Sequence, residues 1–496
     1  MSARDPSDTG PDSTVAPEAP AAFASILGLA GCVCAGCIAL IFAAPAFKSR
    51  PVFVASWLVA LHLAWLLSLV LIRRSARGLS RSSGELRSFL ERRPATWIVV
   101  CGAALVLGGF VFAPVYFSDD SVRHIHDGYY LLQGVDVYTI PPKSLPPVLA
   151  RLPNHPDLGT IYLPFTQLQA VAGAAVHAKY GFLAIYYAVC LILIGVAWSR
   201  LRSGRERGIA ALCLASPVFL IPLSARHADV QGLLLVCAAL MLLRDAGAFH
   251  SDSRSFAPGC AAWAGALLTL AAGLKPEGAL WMGAVGSYLL ASAWFGRVAW
   301  KTVLAFASGC AVVGSAQSIF AWRVLFPTAE SWNSFMRTVA LFTQWFAAYN
   351  PILDLRESLH PGSPRPALLS AYRREVMLLA TLWALLPMAG VLRSTGLAFL
   401  PGRLLIAVLA ASIVSKGVWH PWYFLWILPA LALTGRGRGA FFVAGALPLF
   451  YLPVVFLRAT GEWWMPVFYA ALGVYFLLWI GYIYFVDSGG QRSERV

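Results

Sequence analysis

Charge is what this sequence has least of: 12% of its 496 residues are Asp, Glu, Lys or Arg, against 59% hydrophobic. With a mean hydropathy of +0.69 and repeated apolar runs of roughly 17 to 25 residues, a soluble fold is all but excluded and a polytopic α-helical membrane protein is expected. The runs lack the alternation of a β-barrel, so helices must satisfy the backbone in lipid. Paired cysteine spacing is also missing. The nine cysteines, including Cys32, Cys34 and Cys37, fall within or beside apolar windows, which argues against a disulfide framework or a zinc site. No Walker A run, dinucleotide-type glycine pattern or zincin motif occurs, so soluble-nucleotide chemistry is not indicated. A donor carried by lipid would explain so much membrane. The first 21 residues are rich in Pro, Ser and Asp and have no basic n-region, so they read as disordered and the first apolar run as a retained anchor.

What charge there is has a pattern. The net charge of +15 sits in short loops between apolar windows, the positive-inside arrangement rather than a nucleic-acid face. Windows at 22–46, 52–72 and 97–117 come first, and Arg73, Arg74, Arg77, Arg81, Arg87, Arg92 and Arg93 put the second connection, and hence the N-terminus, in the cytoplasm. Further spans are expected at 181–199, 208–224, 228–243, 258–274, 277–294, 302–325, 373–392, 402–418, 421–434, 438–457 and 464–486. Arginines 200, 202, 205 and 207 stay inside only if 161–178 is re-entrant or interfacial. The count is about 14 transmembrane helices. Domains follow: a disordered cytoplasmic 1–21, membrane helices over 22–117, an external segment 118–180, core helices 181–325, a second external loop 326–372, C-terminal helices 373–486 and a cytoplasmic tail 487–496.

The third span delivers Ser118-Asp119-Asp120-Ser121-Val122-Arg123-His124-Ile125-His126-Asp127-Gly128 to the outer face. As a helix over 118–132, it places Asp120, Arg123, His124 and Asp127 on one face and Asp119 four residues before Arg123. A solvated amphipathic helix with surface ion pairs is the plain alternative. A carboxylate here suits a general base acting on a sugar hydroxyl. Under the same threading Arg226, His227, Lys275, Lys416 and His420 recur at outer span ends. Such cations, with no Asp-rich metal cage, suit capture of a phosphate group. Singly, Lys275 and Lys416 could instead snorkel and His420 cap a helix.

The chain resembles the GT-C superfamily of integral-membrane glycosyltransferases that use polyprenyl-phosphate sugars. More narrowly it resembles bacterial polyprenol-phosphate-mannose-dependent mannosyltransferases, and more distantly the mannosyltransferase of GPI anchor assembly. The family's Ser-Asp-Asp, Arg-Tyr and Trp-Asp-Gly correspond to Ser118-Asp119-Asp120, Arg123-His124 and His126-Asp127-Gly128. Its Gly-x-Asn-Pro-Tyr corresponds to Gly134-Val135-Asp136-Val137-Tyr138. Asn154-His155-Pro156 and Thr160-Ile161-Tyr162-Leu163-Pro164 follow its Asn-His-Pro and Thr-Ile-Tyr-Pro-Pro, and His227-Ala228-Asp229 and His420-Pro421-Trp422-Tyr423 its two later motifs. His124, His126, Asp136 and Leu163 depart from the usual Tyr, Trp, Asn and Pro. The likeness covers roughly 118–165 well, and the rest only by span order and short motifs.

The resemblance implies an all-α polytopic membrane protein with a GT-C-like core and two long external loops. Its activity would be inverting transfer of a sugar, mannose by likeness, from a polyprenyl-phosphate donor to a glycan, glycolipid or protein acceptor outside a bacterial inner membrane. Asp120, or else Asp119, would be the catalytic base. Arg123, His124, Asp127, Tyr138, Asn154, His155, Tyr162 and Asp229 would bind substrate, with Arg226, His227, Lys275, Lys416 and His420 on the lipid phosphate. No metal or cofactor beyond the donor is expected, and no nucleic-acid partner. A multi-span transporter or lipid-linked sugar flippase is the rival from another class, and a non-catalytic polymer-assembly protein a third.

Overall fold

The computed structural model describes residues 18–47, 49–61, 63–64, 102–104, 106–114, 117–202, 206–207, 210, 213–246, 248, 257–294, 296, 298–348, 351–385, 408–409, 420–433 and 451–461. Every regular element among them is helical. In chain order they include α1 (Glu18–Ala43), α2 (Asp120–Leu132), α3 (Pro164–Val176), α4 (Gly181–Ser199), α5 (Pro217–Ser224), α6 (Ala228–Asp245), α7 (Pro258–Ala272), α8 (Pro276–Trp294) and α9 (Trp300–Phe320), which runs on as a π-helical turn over Ala321–Leu325. Then come α10 (Ala329–Ala348), α11 (Pro351–Leu359), α12 (Arg365–Leu385), a 3-10 segment Pro421–Ile427 running into α13 (Leu428–Leu433), and α14 (Leu452–Thr460). Proline opens α3, α5, α7 and α8, where its missing N–H costs nothing and its fixed φ suits the first turn. Among the described residues two helices, Gly181–Ser199 and Trp300–Leu325, are long and apolar enough to cross a membrane.

Helices α4 and α6 lie side by side and parallel. At their starts the Tyr186 hydroxyl donates to the His227 carbonyl and the Gln231 side chain donates to the Tyr186 carbonyl. At their ends Arg200 and Arg202 both reach Asp245, at 3.3 and 2.9 Å, and Arg244 reaches Glu206 at 3.5 Å. Arg200, Arg202 and Arg244, all expected inside, therefore gather at one end of this pair, and His227 and Asp229 stand at the other. Helices α7 and α9 pack closely because Gly265 faces the Phe306 carbonyl and Gly309 faces that of Ala262, so no side chain separates the backbones. Beyond that seam α9 and its continuation to Leu325 are bare: Trp300, Leu304, Val312, Ile319 and Trp322 are all exposed.

A similar close approach joins α2 to α3. A Cβ on Gly128 would strike the Ala170 carbonyl. Backbone cannot yield as a side-chain tip can, so Gly128→Ala is expected to cost about 1–3 kcal/mol. A lowered unfolding midpoint of the detergent-solubilised chain would register it, and an unchanged midpoint would contradict the packing.

Helix α3 has 13 residues and is about 20 Å long, too short to span. It ends at the turn before α4. The stretch 326–372 differs from the expected loop. It is largely helical, made of α10, α11 and the start of α12. Its prolines and Gly362 separate these helices instead of marking one continuous loop. The windows at 402–418 and 464–486, the arginine-rich connection at 73–93 and both termini lie wholly or mostly outside the described residues.

Candidate functional site

Helix α2 starts where the sequence has Ser118-Asp119-Asp120. Asp120 meets the positive end of the helix dipole, and its N–H donates to Ser118 Oγ at 3.3 Å. The helix stops at Gly134, whose φ of +77° is the left-handed conformation that releases the chain. It is not a solvated surface helix: Arg123, His124, His126 and Asp127 are all buried. Instead of pairing with Asp119, Arg123 donates from Nε to Asp127 Oδ1 at 2.8 Å and from its Nη atoms to the carbonyls of His155 and Leu158. Both acids are four residues from Arg123. Asp119 is the N-cap, with φ −115° and ψ 12°, and its carboxylate pairs with Arg458, at 3.3 and 3.5 Å.

Asp120 remains at the opening, its side chain 27% exposed. Its Oδ1 accepts the Asn154 amide at 3.0 Å, and its Oδ2 lies 3.5 Å from His227 Nδ1. Burial works against its charge, but the positive charge that His227, His124 and Lys275 carry in acid, with the Asn154 hydrogen bond, outweighs that. The carboxyl is held below its ordinary value of 3.8. Burial pushes His124 down to about 4 against the pull of Asp120 and Asp127, and depresses His227 in the same way despite Asp120 and Asp229. At neutral pH a carboxylate thus faces an imidazole whose charged form is disfavoured. Behind it His227, Trp422 and His420 form a stack, with ring centroids 3.8 and 4.3 Å apart.

The floor beneath is polar and closed. Asp127 accepts Gln167 Nε2 at 3.4 Å as well as Arg123, and Gln167 also reaches Thr160 at 3.1 Å. Burial opposes ionisation of Asp127, and Arg123 with its hydrogen-bonding neighbours more than compensates, leaving its carboxyl below the ordinary range. Tyr138 is fully buried, and its hydroxyl donates to the Tyr162 carbonyl at 2.7 Å. The Tyr162 ring packs on His124 at 4.1 Å, and His155 takes a positive φ of 47° so that its carbonyl meets Arg123.

The expected site residues therefore divide. Asp119, Asp120, Asn154, His155, Tyr162 and His420 are partly exposed around the opening. Arg123, Asp127 and Tyr138, expected on substrate, are instead interior supports, because their polar atoms are spent on protein partners. Asp229, also expected on substrate, is fully buried and accepts Lys275 Nζ and Trp426 Nε1, each at 2.7 Å. Lys275 is thereby committed to Asp229 instead of being left for a phosphate. Arg226, 2% exposed, donates from Nη2 to the carbonyls of Phe110 and Ala113, and so ties the approach to α2 instead of facing a ligand. Lys416 lies outside the described residues.

Sequence reasoning missed Arg458, Gln167 and Trp426. Gln167, with Thr166 and Gln169 on a mostly apolar α3, was a local signal, since buried polar side chains there must find partners. The chain matches no known protein family, no curated protein and no solved structure.

Proposed function

We propose that this protein is a membrane glycosyltransferase that moves a sugar from a polyprenyl-phosphate donor to an acceptor hydroxyl on the extracytoplasmic face, with inversion. The observation that carries the reading is Asp120: an accessible carboxylate whose Oδ1 accepts the Asn154 amide at 3.0 Å and whose Oδ2 lies 3.5 Å from His227 Nδ1, beside a buried polar network. Such a group is preorganised to accept a proton. In the reaction the acceptor oxygen attacks the anomeric carbon and its proton passes to Asp120. The bond from that carbon to the phosphate oxygen breaks, its electron pair stays on the oxygen, and polyprenyl phosphate leaves. Mannose as the sugar rests on the family resemblance.

The proposed setting is a bacterial inner membrane crossed by about 14 spans; what supports a membrane setting is α9 with its continuation to Leu325. Trp300 and Trp322 stand at the two ends of an exposed apolar rod, about 33 Å apart at the α-helical rise, close to a hydrocarbon thickness with its interfacial tryptophans. The arginines at the far ends of α4 and α6 support an outer location for Asp120.

In membranes supplied with radiolabelled polyprenyl-phosphate mannose, label should pass from donor to acceptor only when the chain is present. An intact donor would contradict the reading. The acid limb of the rate should fall as Asp120 is protonated, below the ordinary 3.8. The Asn154 amide favours the charged carboxylate, so Asn154→Ala should raise that pKa and move the limb to higher pH. A limb that stays put would separate Asp120 from the step being followed.

A further inference from the structure

We propose that Arg458 is the residue that takes the donor's phosphate, an inference that rests on the glycosyl-transfer reading above. A departing phosphate needs a cation beside the anomeric carbon, and two expected ones are engaged elsewhere. Arg226 is 2% exposed and held through Nη2 by two backbone carbonyls, so its Nε and Nη1, unpartnered among the described residues, are closed to a ligand, and Lys275 is held by Asp229. Arg458 is 29% exposed and pairs with Asp119, the residue next to the base. Its Nε is buried and has no hydrogen-bond partner among the described residues.

The placement is built into α14. Tyr451, Val454, Val455 and Arg458 recur at helical spacing, and the first three are buried. The Tyr451 ring meets Phe117 at 5.6 Å and Trp422 at 6.0 Å, which fastens this face of the helix beside the start of α2. The guanidinium presents a planar fork suited to phosphate oxygens. Its contact with Asp119 is long and partly solvated, a weak pairing that a more highly charged phosphate can displace or share. Negative charge developing on the leaving oxygen then meets a fixed cation.

The probe is farnesyl phosphate, with farnesol as the tail-only control, binding to the purified full-length chain as read by native mass spectrometry. Wild type should prefer farnesyl phosphate, and Arg458→Gln should weaken its binding by roughly tenfold or more while leaving farnesol unaffected, the loss expected for one charge-assisted contact. Asp119→Asn removes the competing carboxylate charge and should tighten binding. If Arg458→Gln binds as wild type does, the assignment is overturned and the glycosyl-transfer reading stands. Should that variant fail to fold, unchanged or weaker binding by Asp119→Asn overturns the assignment instead. If wild type shows no preference for farnesyl phosphate over farnesol, the lipid-phosphate reading itself fails.

Discussion

Asp120→Asn is expected to lower turnover by roughly 10²–10⁴, the usual contribution of a positioned general base. The Michaelis constant for the donor should change little, because the proposed role of Asp120 is on the acceptor's proton and not on the lipid phosphate. The amide is nearly isosteric and can still reach Asn154 and His227, so a loss of rate without a loss of folded protein reports the missing base. Asp119→Asn should retain far more turnover, since that carboxylate is paired with Arg458. Initial rates in membranes at saturating donor separate the two. Equal losses in both variants would mean that the acidic pair acts as a unit.

Arg123→Met carries the largest expected effect on stability. It strands the fully buried Asp127 without its 2.8 Å partner and deprives the His155 and Leu158 carbonyls of a donor. Breaking one side of a buried pair typically costs about 3–5 kcal/mol. Arg123→Met combined with Asp127→Leu should recover part of it, because no uncompensated charge remains. The sign with pH follows from the lowered Asp127 carboxyl. Wild type gains from this group above the unfolded carboxylate value and loses the gain as pH falls through the folded one. Without Arg123 the folded carboxyl rises instead, so the variant's deficit should shrink as the solution is acidified. Denaturant unfolding of the three proteins across pH would register both the recovery and the trend.

How far the sequence carried the fold depended on periodicity and boundaries. The windows at 181–199, 228–243, 258–274 and 277–294 correspond to α4, α6, α7 and α8 to within two residues at each end, because long apolar runs bounded by Pro, Gly or Arg leave little choice. The stretch 326–372 was harder. Ser331, Phe335 and Thr338 make a buried stripe on α10, but intervening polar residues conceal it from a hydropathy scan.

The site was legible as composition and not as partnership. Spacing put Asp120, Arg123, His124 and Asp127 on one helix, yet could not tell which of two acids equally far from Arg123 would take it. That choice was made by the 154–158 segment, whose carbonyls draw the guanidinium away from the helix start. Lys275 and Asp229 are 46 positions apart and Arg458 and Asp119 339 apart. No local pattern encodes either pair. Arginines at span ends are common enough that Arg458 carried no signal of its own.

The most direct test of the central claim counts products from the purified chain reconstituted in vesicles with radiolabelled polyprenyl-phosphate mannose and an acceptor-containing membrane extract. Base-catalysed transfer predicts one prenyl phosphate released for each sugar transferred with inverted configuration, and neither product at a comparable rate from Asp120→Asn. Passage of the intact donor across the bilayer without cleavage, or equal product formation by Asp120→Asn, would contradict it.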